Sequence, residues 1–301
     1  MIKIDLITGF LGSGKTTFII EYAKYLINRG ERICILENDF GAVNVDMMLL
    51  SSLNCDREMV SGGCDYDCHV RRFRTKLISM AMMGYTRVIV EPSGIYDTDE
   101  FFDVLYESPL DDLYEIGNIF CVYDINTKDL SYDSRYILLS ESSVCGRLII
   151  TKNKEDEVLD LSYINSIMNE SKCSRIFNQN DIIYFDKINF DNIINSGYHS
   201  YDHIKIPVIY DSNYDSVYIL DKNIQYDDLK ELSKELFSGE FGSVNRIKGF
   251  ITKGDSWYSV NITTESYNIS PISDGQKVII IIGENINKEK IEKLFGDKYG
   301  L

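Results

Sequence analysis

The chain has 301 residues, of which 44% are apolar and 26% charged, and its formal net charge is −16. That length exceeds what one core usually supports and predicts two domains, and the ordinary apolar fraction argues against disorder. So acidic a balance argues against nucleic acid or an anionic membrane as the main partner, although a local basic pocket for phosphate remains compatible with it.

The first apolar run, Ile2 to Ile7, reads as a strand and leads into Thr8-Gly9-Phe10-Leu11-Gly12-Ser13-Gly14-Lys15-Thr16-Thr17. Gly-x-x-x-x-Gly-Lys-Thr between a strand and a helix is a phosphate-binding loop, in which backbone N–H groups at a helix N-terminus wrap the phosphates. Gly12, Ser13, Gly14, Lys15, Thr16 and Thr17 are the expected nucleotide contacts, with Lys15 reaching the β- and γ-phosphates and Thr16 holding Mg²⁺. The same stretch stands where the apolar part of a signal peptide would lie, and no apolar run approaches the roughly 18 residues that span a bilayer. A cytoplasmic protein is expected. Seven cysteines, an odd number without a regular framework, fit a reducing compartment.

An amphipathic helix over 17–29 stops at Arg29-Gly30, a cation followed by a terminating glycine. Ile33 to Leu36, Arg87 to Val90, Asn118 to Tyr123 and Leu148 to Thr151 are further apolar runs, separated by helix-compatible stretches. Near-continuous apolar strands alternating with helices predict an α/β fold with a mostly parallel sheet covered on both faces. Ligands of such sheets sit beyond the carboxyl ends of the strands, which directs attention to the segments that follow them.

Asp39 follows the second of these runs. Glu91-Pro92-Ser93-Gly94 follows the third, where a strand-end acid holds Mg²⁺ or orients the attacking water. Gly94 would let the backbone approach the γ-phosphate, making 92–98 a candidate switch loop. Asn153-Lys154-Glu155-Asp156 follows the fifth and matches the Asn-Lys-x-Asp guanine-reading motif. An Asp carboxylate accepts from both N1–H and the 2-amino group of guanine, which adenine does not offer, while Asn153 and Lys154 would brace the loop and cover the base. Charge-assisted bonds of about 1.5–3 kcal/mol each suffice to select GTP.

Between these segments lies Ser61-Gly62-Gly63-Cys64-Asp65-Tyr66-Asp67-Cys68-His69, followed by a predicted helix from about Val70 to Met83. Cys64, Cys68 and His69 with neighbouring carboxylates form a candidate set for a borderline metal such as Zn²⁺ or Co²⁺. Two free cysteines beside a glycine turn are the plainer alternative. His199 and His203 lie four apart in what reads as an extended linker, a weak pattern for a metal.

From about residue 208 the pattern is strand (Ser216 to Leu220), helix (Tyr226 to Leu236), strands (Val244 to Thr252, Trp257 to Ile262, Val278 to Ile282) and helix (Lys288 to Phe295). That order suggests a small ferredoxin-like α+β domain without a visible catalytic constellation. The expected division is 1–185 for the nucleotide domain, 186–207 for the linker and 208–301 for the second domain.

Together these motifs resemble the CobW family of metallochaperone GTPases, relatives of the nickel-insertion GTPases that serve urease and hydrogenase. The resemblance covers nearly the whole chain and rests on Gly9 to Thr17, on Asn38-Asp39-Phe40-Gly41 with Asp46, on Glu91-Pro92-Ser93-Gly94 and on Asn245-Arg246-Ile247-Lys248-Gly249. Phe177-Asn178 looks like the family's segment beside the guanine, which implies a base contact for Asn178. Two departures stand out. The family's Cys-x-Cys-Cys signature is here Cys64-Asp65-Tyr66-Asp67-Cys68, so only its outer thiols carry over, and Asp39 replaces the family's Glu.

The resemblance implies a P-loop GTPase whose slow hydrolysis, through Lys15, Glu91 and Asp39, is coupled to binding and delivery of a transition metal ion. Ordering of the 39–68 segment by Mg²⁺ and GTP would bring Asp39, Cys64 and Cys68 together. The implied partners are GTP and GDP and a client metalloprotein or cofactor-biosynthesis enzyme, with a homodimer left open. Two other readings remain: a GTP-dependent interaction switch or assembly factor with structural thiols, and a P-loop kinase acting on a small molecule.

Overall fold

The computed structural model describes residues 1–10, 12–39, 53–61, 66–94, 96, 98–200, 214–264, 266–272 and 275–299. The chain divides into two compact units, Met1–Val208 and Ile209–Leu301.

In the first unit, β1 (Ile2–Thr8), α1 (Lys15–Asn28), β2 (Ile33–Asp39), β3 (Asp56–Ser61), α2 (Tyr66–Ala81), β4 (Arg87–Pro92), α3 (Thr98–Leu105), α4 (Leu110–Leu113), β5 (Tyr114–Asp124), α5 (Tyr132–Ser143), β6 (Arg147–Thr151), α6 (Ser162–Glu170) and β7 (Ile182–Tyr184) follow in order. The sheet runs β3-β2-β4-β1-β5-β6-β7 and every adjacent pair is parallel. Alternate strand residues feed two cores. Ile7, Ile35, Ile89 and Phe120 pack with Phe18, Ile19 and Tyr22 of α1, while Leu6, Leu36, Val90 and Cys121 pack with Phe73, Phe101 and Leu138 on the opposite face. Burial on both faces is why these strands read as continuous apolar runs.

Two short strands had no clear sequence signal. β3 (Asp-Arg-Glu-Met-Val-Ser) is an edge strand with charged residues on it, and β7 contributes three residues at the other edge. Edge strands are half-solvated and so lack the apolar signature. The 39–68 stretch is therefore interrupted by a strand and is not one long connection.

The segment expected as a linker from 186 onward also differs. Phe190 lies against Tyr22 and Tyr25 of α1, with ring centroids 5.6 and 5.3 Å apart, and Ile193 is buried in the α1 core. Tyr25 donates its hydroxyl to Asp191 at 2.6 Å. Residues 185–194 thus cover α1 and belong to the first unit, because Phe185, Ile188, Phe190 and Ile193 recur at spacings that give them a common apolar face. His199 donates its backbone N–H to the Val144 carbonyl at 2.9 Å, and burial with nearby Arg175 lowers its imidazole pKa. His203 lies outside the described residues.

In the middle of β1 a buried polar knot ties the sheet to α1. Asp5 and Arg87 are 0% and 3% exposed, with Arg87 Nη1 2.6 Å from Asp5 Oδ2. Asp5 also accepts from the Tyr22 hydroxyl at 2.7 Å and from the Asn118 backbone N–H at 2.7 Å. The two charges are thus compensated by each other and by neutral donors, as ions buried this deeply require.

The second unit is an antiparallel sheet, β11-β10-β9-β12-β8, with α7 (Leu229–Leu236) and α8 (Lys288–Tyr299). Its strands are β8 (Tyr214–Leu220), β9 (Ser243–Lys253), β10 (Ser256–Thr263), β11 (Tyr267–Ile272) and β12 (Val278–Glu284). Leu229, Leu232, Leu236, Ile291 and Phe295 of the helices share a core with Ile247, Ile251, Ile279 and Ile281. β12 lies between β8 and β9, so the strand-helix-strand unit is split, as in ferredoxin-like folds. β11 adds a fifth strand at the edge; Pro271 and its mostly exposed residues hid it.

Candidate functional site

The phosphate loop joins β1, the middle strand of the seven, to α1. Its first glycine is obligatory: Gly9 has φ +139°, and a Cβ there would lie 2.3 Å from the Val122 carbonyl oxygen. Gly14, at φ +101°, is the N-cap of α1, and among the described residues no side chain caps the helix. The first N–H groups of α1 are thereby left for another acceptor, the condition for an anion site at a helix N-terminus. The buried Ser13 hydroxyl also has no hydrogen-bond partner among the described residues. Lys15 Nζ folds back onto the Gly9 carbonyl at 2.6 Å. Gly12 is in the left-handed region at φ +78°, and Thr17 is exposed in the first turn.

Thr16 donates its hydroxyl to Glu91 Oε1 at 2.9 Å. The register that aligns Leu6 with Val90 puts the end of β4 beside the end of β1, and strand alternation turns Glu91 to the α1 face occupied by Ile89. Two hard oxygen donors beside a phosphate loop are the donor chemistry that suits Mg²⁺. Glu37, which the sequence reading did not single out, is the partner of Glu91 across β2 and β4 and is buried. It follows Ile33 and Ile35 at a period of two, so it shares the α1 face; that alternation is the signal that could have found it. The β2 end also grips the candidate switch loop, because Ser93 donates its N–H to the Asn38 carbonyl at 3.0 Å. Gly94 is buried there.

The segment expected to read the base follows β6. The brace on the phosphate loop is Thr151, whose hydroxyl donates to the Ser13 carbonyl at 2.6 Å and whose methyl lies 3.6 Å from the position of a Cβ on Gly14. Asn153 thus begins two residues beyond the brace. Lys152 and Asp156 adopt φ +58° and +61°, which turns the segment at both places. Lys152 pairs with Asp124 at 2.5 Å, and the Lys154 N–H donates to Glu157 at 2.9 Å. The Asp156 carboxylate is 92% exposed, 4.0 Å from Lys187. Asn178 is an exposed N-cap whose side chain accepts from Asn180 N at 2.9 Å, and Asp181 completes a capping box with it.

Of the candidate metal residues, Cys64 and the side chain of Asp39 lie outside the described residues. Cys68 and His69 fall in the first turn of α2, which begins at Tyr66 and not near Val70. Cys68 is half-buried and His69 buried. Consecutive helical residues diverge by about 100°, so the helix does not bring these two side chains onto one face. Among the described residues there is no group of three or more His, Cys, Asp or Glu side chains placed to hold a metal. Backbone pairing aligns Asp39 with Ser61, so the segments leaving β2 and β3, the second of which carries Cys64, start from adjacent points at the carboxyl edge of the sheet. Cys34, Cys121, Cys145 and Cys173 are buried, and burial pushes the Cys34 thiol up to about 12, which suits packing and not ligation.

A central β1–loop–α1 cradle with a Thr–Glu pair at its mouth defines a phosphate-loop nucleotide-binding protein of the parallel α/β class. The model of the CobW/HypB/UreG nucleotide-binding domain matches residues 3–176, more than half of the sequence, and the chain belongs to that family. Among curated proteins, the chain is similar to the zinc chaperone YeiR of Escherichia coli, 29% identical over 125 residues that make up 41% of this chain and 38% of that protein. It is similar also to the zinc chaperone YjiA of Escherichia coli, 24% identical over 160 residues, 50% of this chain and 49% of that protein. The chain thus matches less than half the length of either relative. Among solved structures, Zn(II)-bound YjiA GTPase from E. coli aligns over 98% of both chains at 17% identity with a TM-score of 0.40. Among the described residues no helix is long and apolar enough to cross a membrane.

Proposed function

We propose that the chain binds and hydrolyses GTP and uses the nucleotide state to bind and release a transition metal ion, Zn²⁺ or Co²⁺, for a client protein or cofactor pathway. The observation that carries the nucleotide half of this reading is the Thr16–Glu91 pair at 2.9 Å beside an uncapped helix N-terminus. Mg²⁺ bound between the phosphates and these oxygens would neutralise charge on the β- and γ-phosphates.

The chain's own residues supply the rest. The N–H groups at the start of α1 and the Ser13 hydroxyl wrap the phosphates, and Lys15 turns from the Gly9 carbonyl toward the β,γ-bridge to stabilise charge developing there. Glu91, or Asp39 at the end of β2, holds the attacking water in line. Asp156 is exposed and 4.0 Å from Lys187, so it can swing onto guanine N1–H and the 2-amino group. The zinc-chaperone relatives and the shared sheet corner from which the Asp39 and Cys64 segments depart support the cargo half. There the segments leaving β3, β2 and β4 start side by side, and hydrolysis at the γ-phosphate would loosen the thiol site.

Equilibrium dialysis of the full chain against Zn²⁺ and Co²⁺, with GTP analogue, GDP or no nucleotide, tests the coupling. Tightest binding with the analogue is expected, and a Cys64→Ser/Cys68→Ser double variant should lose it. Equal metal binding in all three states would leave a nucleotide-dependent interaction switch as the better description.

A further inference from the structure

Glu141 lies in the last turn of α5, directly behind the phosphate loop. This turn is stitched to two parts of the candidate site. Thr8, at the end of β1, donates its hydroxyl to the Glu141 carbonyl at 3.0 Å. Thr98, at the start of α3, donates its hydroxyl to the Ser140 carbonyl at 3.0 Å and its N–H to Ser140 Oγ at 3.2 Å. The Glu141 side chain is 0% exposed, and among the described residues neither carboxyl oxygen completes a well-formed hydrogen bond. A wholly buried carboxyl without such bonds is costly, the more so if charged. Packing alone gives no reason for one at this place.

The groups that act on this carboxyl identify what it serves. The ammonium of Lys15 from α1 and the backbone N–H groups of Gly9 in the phosphate loop and Tyr96 in the 92–98 loop all favour its charge. The Cys121 thiol of β5, itself pushed up by burial, is a further titratable neighbour among the described residues. Burial outweighs the favourable group and raises the carboxyl to about 8. Glu141 therefore faces the first residue of the phosphate loop, its lysine and the switch loop at once.

We propose that Glu141 is a proton-linked positioning residue of the nucleotide site: ionised, it holds Lys15 and the two loops in the empty arrangement, and it takes up a proton when Lys15 turns to the phosphates. This inference rests on the nucleotide reading given above. Its sign follows from electrostatics. When the ammonium moves toward a polyanion, Glu141 loses its counter-charge and gains a negative neighbour, and both changes favour the neutral acid. The proton comes from solvent and no bond other than O–H is made. Nucleotide binding should therefore weaken as the pH rises past the point where the free site ionises.

Isothermal titration of the full chain with a non-hydrolysable GTP analogue and Mg²⁺, at pH 7.5, 8.5 and 9.5 in buffers of different ionisation enthalpy, tests this. Wild type should take up about three-quarters of a proton at pH 8.5 and nearly one at pH 9.5, and lose affinity by up to about tenfold per pH unit above 8. Glu141→Gln, which keeps the shape and removes the charge, should show a flat profile and bind more tightly than wild type at pH 9.5. Binding by wild type without proton uptake overturns the proposal and leaves the nucleotide reading intact, and this arm needs no variant to fold. An unchanged pH profile in Glu141→Gln overturns it equally. Absence of binding at every pH would overturn both readings together.

Discussion

The hydroxyl of Thr151 donates to the carbonyl of Ser13 at 2.6 Å, tying the carboxyl end of β6 to the phosphate loop across 138 residues of sequence. The loop's shape therefore depends on a strand that contributes nothing to the glycine motif. Thr151→Val keeps the side-chain outline and removes the donor. A lost hydrogen bond of about 1 kcal/mol predicts a roughly five-fold weaker affinity for GTP and GDP alike, measured by fluorescence titration with a labelled nucleotide. Unchanged affinity would show that the loop holds its shape without the brace.

Asp156 provides the test of base selection. Asp156→Asn exchanges an acceptor for a donor, so preference for GTP over ATP should fall by about tenfold or more while xanthosine triphosphate gains. Competition binding with the three nucleotides measures this. Retained guanine preference would place the base reader elsewhere in the loop that follows Thr151.

At the Thr16–Glu91 pair, Glu91→Gln should lower single-turnover hydrolysis by about 10²-fold or more, as loss of a group that acts on transition-state charge does. GDP affinity should change little, because the lost interaction bears on the γ-phosphate. Lys15→Ala should abolish hydrolysis. Turnover in Lys15→Ala at the wild-type rate would remove the phosphate loop as the active site.

The knot around Asp5, in the middle of β1, bears on stability. Asp5→Ala leaves buried Arg87 with the more distant Glu31, at 3.8 Å, as counter-charge and takes an acceptor from Tyr22 and from the Asn118 N–H. A loss of about 3–5 kcal/mol in unfolding free energy is expected from urea titration. Removal of Asp5 at no measurable cost would mean that water reaches this part of the sheet.

Glu141 also makes stability depend on pH. Its pKa is raised from the ordinary 4.5 to about 8 in the folded protein, so between these values the folded state keeps a proton that the unfolded state has released. The contribution of this group is fully present below pH 4.5 and is lost as the pH rises through 8. Glu141→Gln should match wild type in urea midpoint at pH 5 and exceed it at pH 8. Equal midpoints at both pH values would mean that the group titrates normally.

The lengths and types of the central elements were legible because Ile4, Leu36, Val88, Val122 and Ile149 are buried on both sides of a parallel sheet and leave unbroken apolar runs. The edge strands β3, β7 and β11 were not, since half-solvated strands carry polar residues. Nor was the packing of Phe190 on α1, where an apolar spacing in a short irregular segment resembles a linker until the helix it covers is in place.

By itself the sequence determined that a phosphate loop opens α1, that a parallel sheet carries it, and that an acid at the end of β4 stands ready beside it. These are local patterns, set by glycine geometry and by the two-residue and 3.6-residue periods. Only the tertiary structure decided that Thr151 braces the loop, that Glu37 stands beside Glu91, and that Glu141 lies buried behind Lys15. Each of those relationships joins residues brought together by strand register or helix packing, and a charged residue in a helix carries no local sign that its carboxyl ends up against a phosphate loop 126 positions away.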